Sequence, residues 1–207
     1  APQISFRMNS PSTTRSARGS PGKRTVGKSK LCLEKVIGTT ACSNASLDVN
    51  PVSGELAYPA GCVCVTYDPI SNLQTRFLSA MPLVTSKLKP LTCVAFRNDG
   101  KKLATSEYGH QASIFVWSID TGVLAQELKS HSLGVSVMAF TPNNKLLISV
   151  GSEHDQQLNI WDMRSPSPLR SCKITSKVRS MAVSEDSSFF VTAGLRHLKI
   201  WSLELSS

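Results

Sequence analysis

Three of the four histidines, His110, His154 and His197, each stand shortly before a tryptophan, and imidazoles in that number could ligate zinc. They fall on separate units of the chain, with no carboxylates placed to orient them, so no metal site is expected. Cys62 and Cys64 are two apart, which on a strand sends both to one face, and they read as packing residues rather than half of a cation site. Gly19-Ser20-Pro21-Gly22-Lys23-Arg24-Thr25 has some of the character of a phosphate-binding loop. It has Ala17 where the first glycine belongs, Arg24 where a hydroxyl residue belongs, and no strand before it. A Gly-x-Ser-x-Gly elbow and a His-Glu-x-x-His pair are both missing from the sequence. The expectation is a non-enzymatic chain with no catalytic residue, no cofactor and no small-molecule substrate.

The remaining chemistry is modification and charge. Ser20-Pro21-Gly22-Lys23 is similar to a proline-directed kinase site and Ser10-Pro11 is a weaker relative, which makes Ser20 and Ser10 candidate phosphorylation sites. Both lie among Arg7, Arg15, Arg18, Lys23, Arg24, Lys28 and Lys30, which precede the first acid, Glu34. Of the 23 Lys and Arg behind the net charge of +9, these seven leave 16 against 14 Asp and Glu, so the rest of the chain is near neutral. Residues 1–30 hold few large apolar side chains and read as a disordered basic tail able to meet an acidic surface. A phosphate there would add about −1.5 to −2 charge and weaken that attraction. The same tail supports an alternative function, a nucleic-acid or chromatin-associated module.

No apolar run reaches the roughly 18 residues that span a bilayer, and the first 30 residues lack the apolar stretch of a secretory signal, which points to an intracellular chain with no membrane partner. The six cysteines are spread through apolar segments and read as reduced thiols, and the Asn44-Ala45-Ser46 acceptor motif reads as an accident. Lys87-Leu88-Lys89-Pro90-Leu91 loosely resembles a kinase docking peptide, but Leu91 opens a strand and the fold reading prevails. Glu185-Asp186 reads as a turn former.

The elements that position these residues come from an internal repeat. Ser113 to Asp120, Gln157 to Asp162 and His197 to Ser202 each place a tryptophan near the end of a β-rich run, and together they use all three tryptophans, Trp117, Trp161 and Trp201. Upstream of each lies a second block, Cys93 to Lys101, Val137 to Lys145 and Ser180 to Ser188, reading strand, tight turn, strand. Phe96 to Phe140 and Trp117 to Trp161 are both 44 residues, Phe140 to Val183 is 43 and Trp161 to Trp201 is 40. The last interval is short because Thr192 to Trp201 is 9 residues, whereas Thr105 to Trp117 and Ser149 to Trp161 are both 12, so three residues are missing from one hairpin loop. A degenerate unit precedes these, with Val65 in the tryptophan position. The units run over about 31–80, 88–129, 131–174 and 176–205.

A period of about 40 to 45 residues suggests four-stranded blades. The units resemble the WD-repeat family, in which each repeat supplies a blade of a β-propeller, and Trp161-Asp162 is the dipeptide that names it. Longer strings are similar to the group that contains mitogen-activated protein kinase-binding protein 1 and WD repeat-containing protein 62. They include Leu33 to Gly38, Ala57 to Val63, Gly109-His110, His154-Asp155 and Ser184 to Gly194. The resemblance implies a protein-interaction scaffold of the c-Jun N-terminal kinase pathway with spindle-pole and centrosome roles, cytoplasmic with the nucleus also open. Its partners would be proteins, among them signalling kinases and spindle or centrosomal components. In the group, kinase docking belongs to a long region after two propellers, which this chain lacks.

The resemblance also implies a buried network of Trp, Ser or Thr, His and Asp, for which the third unit offers Trp161, Ser149, His131 and Asp155. The second unit offers Thr105 and Trp117 and the fourth Thr192 and Trp201, all read as structural. The fold expected is all-β, a partial WD-repeat β-propeller of about four blade units, open at one edge, after the disordered tail of 1–30. Four units fall short of the family's closed ring, so the chain reads as an N-terminal fragment that needs the missing downstream blades.

Overall fold

The computed structural model describes residues 38–41, 43–80 and 89–203, together with the backbone of two strands nearer the N-terminus. The chain divides into Ala1–Gly38 and Thr39–Ser207. In the first unit β1 (Ser5–Met8) pairs antiparallel with β2 (Leu31–Lys35), with Met8 opposite Leu31 and Arg7 opposite Cys32. Composition assigns Ser5–Met8 to a disordered tail. The alternation of Ile4, Phe6 and Met8 is the period-2 signal of a strand, and it accounts for the difference. Ser10 and Ser20 lie outside the described residues.

The second unit is a row of antiparallel sheets. The first holds β3 (Asp48–Val49), β4 (Leu56–Ala60), β5 (Val63–Asp68) and β6 (Leu73–Leu78). The next holds β7 (Leu91–Phe96), β8 (Lys102–Glu107), β9 (Ala112–Ser118) and β10 (Leu124–His131). The third holds β11 (Val135–Phe140), β12 (Leu146–Gly151), β13 (Gln157–Asp162) and β14 (Pro168–Lys173). The last holds β15 (Val178–Val183), β16 (Phe189–Gly194) and β17 (His197–Ser202). A single 3-10 turn, Asn44–Ser46, is the only helical element among the described residues, and no helix there is long and apolar enough to cross a membrane. Ser46 is fully buried with its hydroxyl on Thr92 O at 2.6 Å, while Asn44 beside it is exposed.

The turns explain why each unit folds back on itself. The first hairpin of the second, third and fourth sheets places Gly100, Asn144 and Ser187 at φ of 69, 62 and 60°, the left-handed region that such tight turns need. Asp99, Asn143 and Asp186 each accept a backbone N–H two residues on, from Lys101, Lys145 and Ser188. The turns also tie neighbouring sheets together. Asn50, buried, donates through Nδ2 to Gly100 O at 3.1 Å, and any side chain at Gly100 would collide with it. Asn143 N–H donates to Ser187 Oγ at 3.1 Å.

The inner strands lie side by side, β7 against β11 and β11 against β15, with β3 and β4 against β7. Three apolar layers fill the gaps between sheets. Cys64 and Leu78 meet Phe115 and Trp117, Ile114 and Leu128 meet Met138 and Trp161, and Ile148 and Leu158 meet Phe190. An inner sheet is therefore covered on both faces, and all six residues of β12 are buried. The row does not close. On the outward face of the last sheet Leu198, Ile200 and Phe189 are 74, 73 and 42% exposed, and its described part has three strands where each of its neighbours has four. The architecture is a partial, open propeller.

Register corrects one assignment. Trp161 stands opposite Leu147 and Trp117 opposite Leu103, and in the first sheet it is Tyr67 that stands opposite the matching Leu56. The strand irregularity also recurs there, between Thr66 and Tyr67 as between Ile160 and Trp161. Tyr67, not Val65, holds the tryptophan position. The two-residue β4–β5 loop, Gly61-Cys62, shifts the alignment that the sequence suggests.

Candidate functional site

One hydrogen bond recurs in three sheets. Trp117 Nε1 donates to Thr105 Oγ1, Trp161 Nε1 to Ser149 Oγ and Trp201 Nε1 to Thr192 Oγ1, each at 2.9 Å. The sheet register sets it up. The residue opposite each tryptophan, Leu103, Leu147 or Phe190, lies two before the hydroxyl residue, so the hydroxyl shares the tryptophan's face of the sheet.

In the third sheet the bond continues. Ser149 Oγ lies 2.8 Å from His131 Nε2, and His131 Nδ1 lies 2.6 Å from Asp155 Oδ2. An ionised carboxylate only accepts, so Nδ1 carries the proton, Nε2 accepts the Ser149 hydroxyl, and the Ser149 oxygen accepts the indole N–H. Asp155 Oδ1 accepts the backbone N–H of Leu133 at 3.3 Å as well as that of Ser132, which fixes the connection from β10 to β11. Burial pushes the Asp155 pKa up, but the His131 contact and the two N–H donors outweigh it and hold it below the ordinary 3.8. Gly151 makes the room, since a Cβ there would fall on the Asp155 carboxylate. Asn159 Nδ2 lies 3.2 Å from His131 Nε2, a second donor to the same atom.

Ser149, His131 and Asp155 follow the bonding order of a hydrolytic triad. The resemblance ends at access. Ser149 and Trp161 are 0% exposed, and the Ser149 oxygen already accepts an indole proton and donates to the imidazole, so no substrate carbonyl can reach it. What this arrangement does chemically is satisfy buried polar groups, each of which would cost about 1 to 3 kcal/mol if left unpaired.

The fourth sheet holds a shorter version that sequence spacing missed. His197 Nε2 lies 2.8 Å from Thr192 Oγ1, so a histidine caps the tryptophan bond from within its own hairpin. His197 is the first residue of β17 rather than a loop residue, and it stands opposite Gly194. The shortened hairpin was the available signal, because it brings His197 within five residues of Thr192. Burial, then the charge of Lys199, push its pKa below the ordinary 6.5. Trp201 also stacks on Phe190 with ring centroids 5.8 Å apart. In the second sheet the buried carboxylate is Glu107, which accepts the Ser113 N–H at 3.1 Å and pairs with Lys89 at 3.5 Å.

His110 and His154 are exposed while His197 is buried on Thr192, and no group of three or more ligand-type side chains gathers among the described residues. Cys62, Cys64 and Cys172 are free thiols, and the Cys93 thiol donates to Val135 O at 3.3 Å. Burial pushes the Cys64 thiol up to about 12, which keeps it protonated and unreactive. Asp162, beside Trp161, is half-buried. Its hydrogen bonds with the Arg164 side chain and backbone hold its pKa down to about 2.

Residues 122–162 and 167–202 match the family model described as WD domain, G-beta repeat. The chain is 38% identical over 197 residues to mitogen-activated protein kinase-binding protein 1 of Mus musculus, an alignment covering 95% of this chain and 13% of that protein. It is 38% identical over 180 residues to WD repeat-containing protein 62 of Sus scrofa, covering 87% of this chain and 11% of the relative. Cilia- and flagella-associated protein 52 of Bos taurus is 25% identical over 196 residues, covering 91% of this chain and 30% of its own length. The chain thus spans about an eighth of mitogen-activated protein kinase-binding protein 1 and a smaller share of WD repeat-containing protein 62.

Proposed function

The chain is a WD-repeat protein, and on that premise we propose that it serves as a non-enzymatic protein-interaction scaffold. One observation carries the reading: the one triad-like set of side chains described is spent inside the fold. Ser149, His131 and Asp155 bond one another beneath Trp161, and the apolar faces of the inner sheets are consumed by neighbouring sheets. The rims and loops remain for contact, and a rigid row of sheets holds them in fixed relation. Trp117, Trp161, Trp201, Thr105, Ser149, Thr192, His131 and Asp155 then have a structural role, clamping the sheets that present those loops.

The finer assignment is to scaffolding of the c-Jun N-terminal kinase pathway, with a cytoplasmic and spindle-pole or centrosomal location. It is supported by 38% identity to a protein whose name states that it binds a mitogen-activated protein kinase. The exposed Leu198, Ile200 and Phe189 face receives a further sheet of the same kind, which completes the scaffold.

A second reading has its own observation, the seven basic residues that precede Glu34, and makes residues 1–30 a nucleic-acid or chromatin anchor weakened by phosphorylation at Ser20 or Ser10. Deleting residues 1–30 separates the two. The scaffold keeps its protein partners after the deletion, whereas a nucleic-acid module loses binding together with its salt dependence. In the second case Ser20→Glu alone also flattens the salt slope.

A further inference from the structure

The loop from β13 to β14 reads Ser165-Pro166-Ser167 and runs into Pro168, the first residue of β14. Two Ser-Pro pairs follow one another, and the second continues as Ser167-Pro168-Leu169-Arg170, with a cation three places after the serine. The prolines shape this segment. Each ring biases the residue before it toward extended backbone, so Ser165 and Ser167 are both held away from helical geometry. Pro168 has no N–H to give, which suits the start of an outer strand, where it stands opposite Trp161.

The placement leaves the segment open. β14 is the outermost strand of its sheet, and each of its residues after Pro168 is exposed. Ser167 and Pro166 are exposed too, and Leu169 is 46% exposed. Among the described residues the Ser167 hydroxyl bonds only with Ser165 Oγ, at 2.9 Å, and the Ser167 N–H donates to that same oxygen at 3.3 Å. The bonds stay within the loop and tie no strand to another. Thr141-Pro142 shows the contrast. Thr141 is 0% exposed, and its Oγ1 accepts the Leu146 N–H at 3.1 Å and donates to Asn143 Oδ1 at 2.7 Å, so the hydroxyl is locked into the turn from β11 to β12. The acid nearest the two serines in sequence, Asp162, is paired with Arg164 at 2.6 Å, which leaves Arg170 to set the charge of the segment.

We propose that Ser167 is a phosphorylation site for a proline-directed protein kinase whose cleft takes an extended substrate with proline at the next position and a cation at the third. Ser167 Oγ attacks the γ-phosphorus of ATP, the bond from that phosphorus to the oxygen bridging the β-phosphate breaks, ADP leaves, and the hydroxyl proton passes to the catalytic Asp of the kinase. Ser165 is the poorer acceptor, because its third position holds Pro168 rather than a cation. The phosphate adds about −1.5 to −2 charge. Since neither serine holds the sheet together, that charge marks the outer edge of the third sheet without melting it. The site goes beyond the scaffold reading and does not depend on which rim meets a partner.

The test incubates the full 207-residue chain with ATP and a purified kinase of the cyclin-dependent class, which prefers a basic third position, followed by trypsin and mass spectrometry. Cleavage after Arg164 and Arg170 releases residues 165–170 and so separates this site from Ser10 and Ser20. Fragmentation places one phosphate on Ser167, while the peptide that holds Thr141 stays unmodified. Ser167→Ala keeps the parent melting temperature and lowers labelling of the segment tenfold or more. Arg170→Ala slows labelling about tenfold, the scale of one lost charge-assisted contact. The native chain reacts at a rate comparable with that of a synthetic peptide of residues 163–172, and its melting temperature is unchanged by the phosphate. Labelling of the synthetic peptide but not of the native chain, labelling of neither, a phosphate on Ser165 in place of Ser167, or Thr141 labelled as readily as Ser167 overturns the proposal.

Discussion

Replacing Ser149 by alanine removes one oxygen from the centre of the third sheet, and the geometry sets the size of the effect. That oxygen serves two groups, the Trp161 indole at 2.9 Å and His131 Nε2 at 2.8 Å. The imidazole keeps a donor, since Asn159 Nδ2 stays 3.2 Å away, and its Nδ1 proton stays on Asp155. The indole N–H keeps nothing, and Trp161 is 0% exposed, so water cannot replace the lost partner. The expected loss is therefore that of one orphaned buried donor, about 1 to 3 kcal/mol, rather than two. Ser149→Thr is the matched control. Thr105 and Thr192 accept the same indole bond in the sister sheets, so the hydroxyl is retained and only the added methyl has to be accommodated, about 1 kcal/mol. Urea unfolding followed by circular dichroism gives both values, and exchange of the Trp161 indole proton localises the change. Equal losses for Ser149→Ala and Ser149→Thr, or an indole proton that exchanges no faster in Ser149→Ala, refute the argument.

Three further outcomes follow from the same contacts. Gly151→Ala forces the Asp155 carboxylate out of its seat, so it destabilises by about as much as Asp155→Ala, and unfolding of the double variant shows the two losses failing to add. Acid acts on the His197 bond first. Its folded pKa lies below 6.5, so the stability it contributes is whole above 6.5 and declines as pH falls from there toward the folded value. Asp155 adds a second loss beginning near 3.8, and melting temperature against pH should lose its first descent, but not its second, in His197→Asn. Leu198→Lys and Ile200→Lys, on the outward face of the last sheet, change the melting temperature little and reduce concentration-dependent association measured by sedimentation. A large drop in melting temperature would mean that the face is already covered.

Most of the sheet framework is legible in the sequence because repetition makes register redundant. Three tryptophans at near-constant spacing, each with a hydroxyl residue before it, give the hairpins and the indole bonds at once. The first sheet escapes this reading because Tyr67 replaces the tryptophan and a two-residue loop shifts the frame. Ser5–Met8 is obscured for the opposite reason, as a short alternating run inside a basic, Ser- and Pro-rich context. Of the polar interior, Trp161, Ser149, His131 and Asp155 could be named from family likeness. His197, Glu107 and Asn159 could not, since each depends on which side chains the sheet stacking seals from water, and composition does not state that.

The central claim is that the rims of this open propeller contact proteins and do no chemistry. A photo-crosslinking amino acid in place of Tyr108, in the full-length protein in cells, tests it most directly, because that side chain stands exposed at the rim on a fixed backbone. The account predicts covalent adducts that protease removes and nuclease does not. Adducts that nuclease removes, or adducts to a small metabolite turned over by the chain, would contradict it.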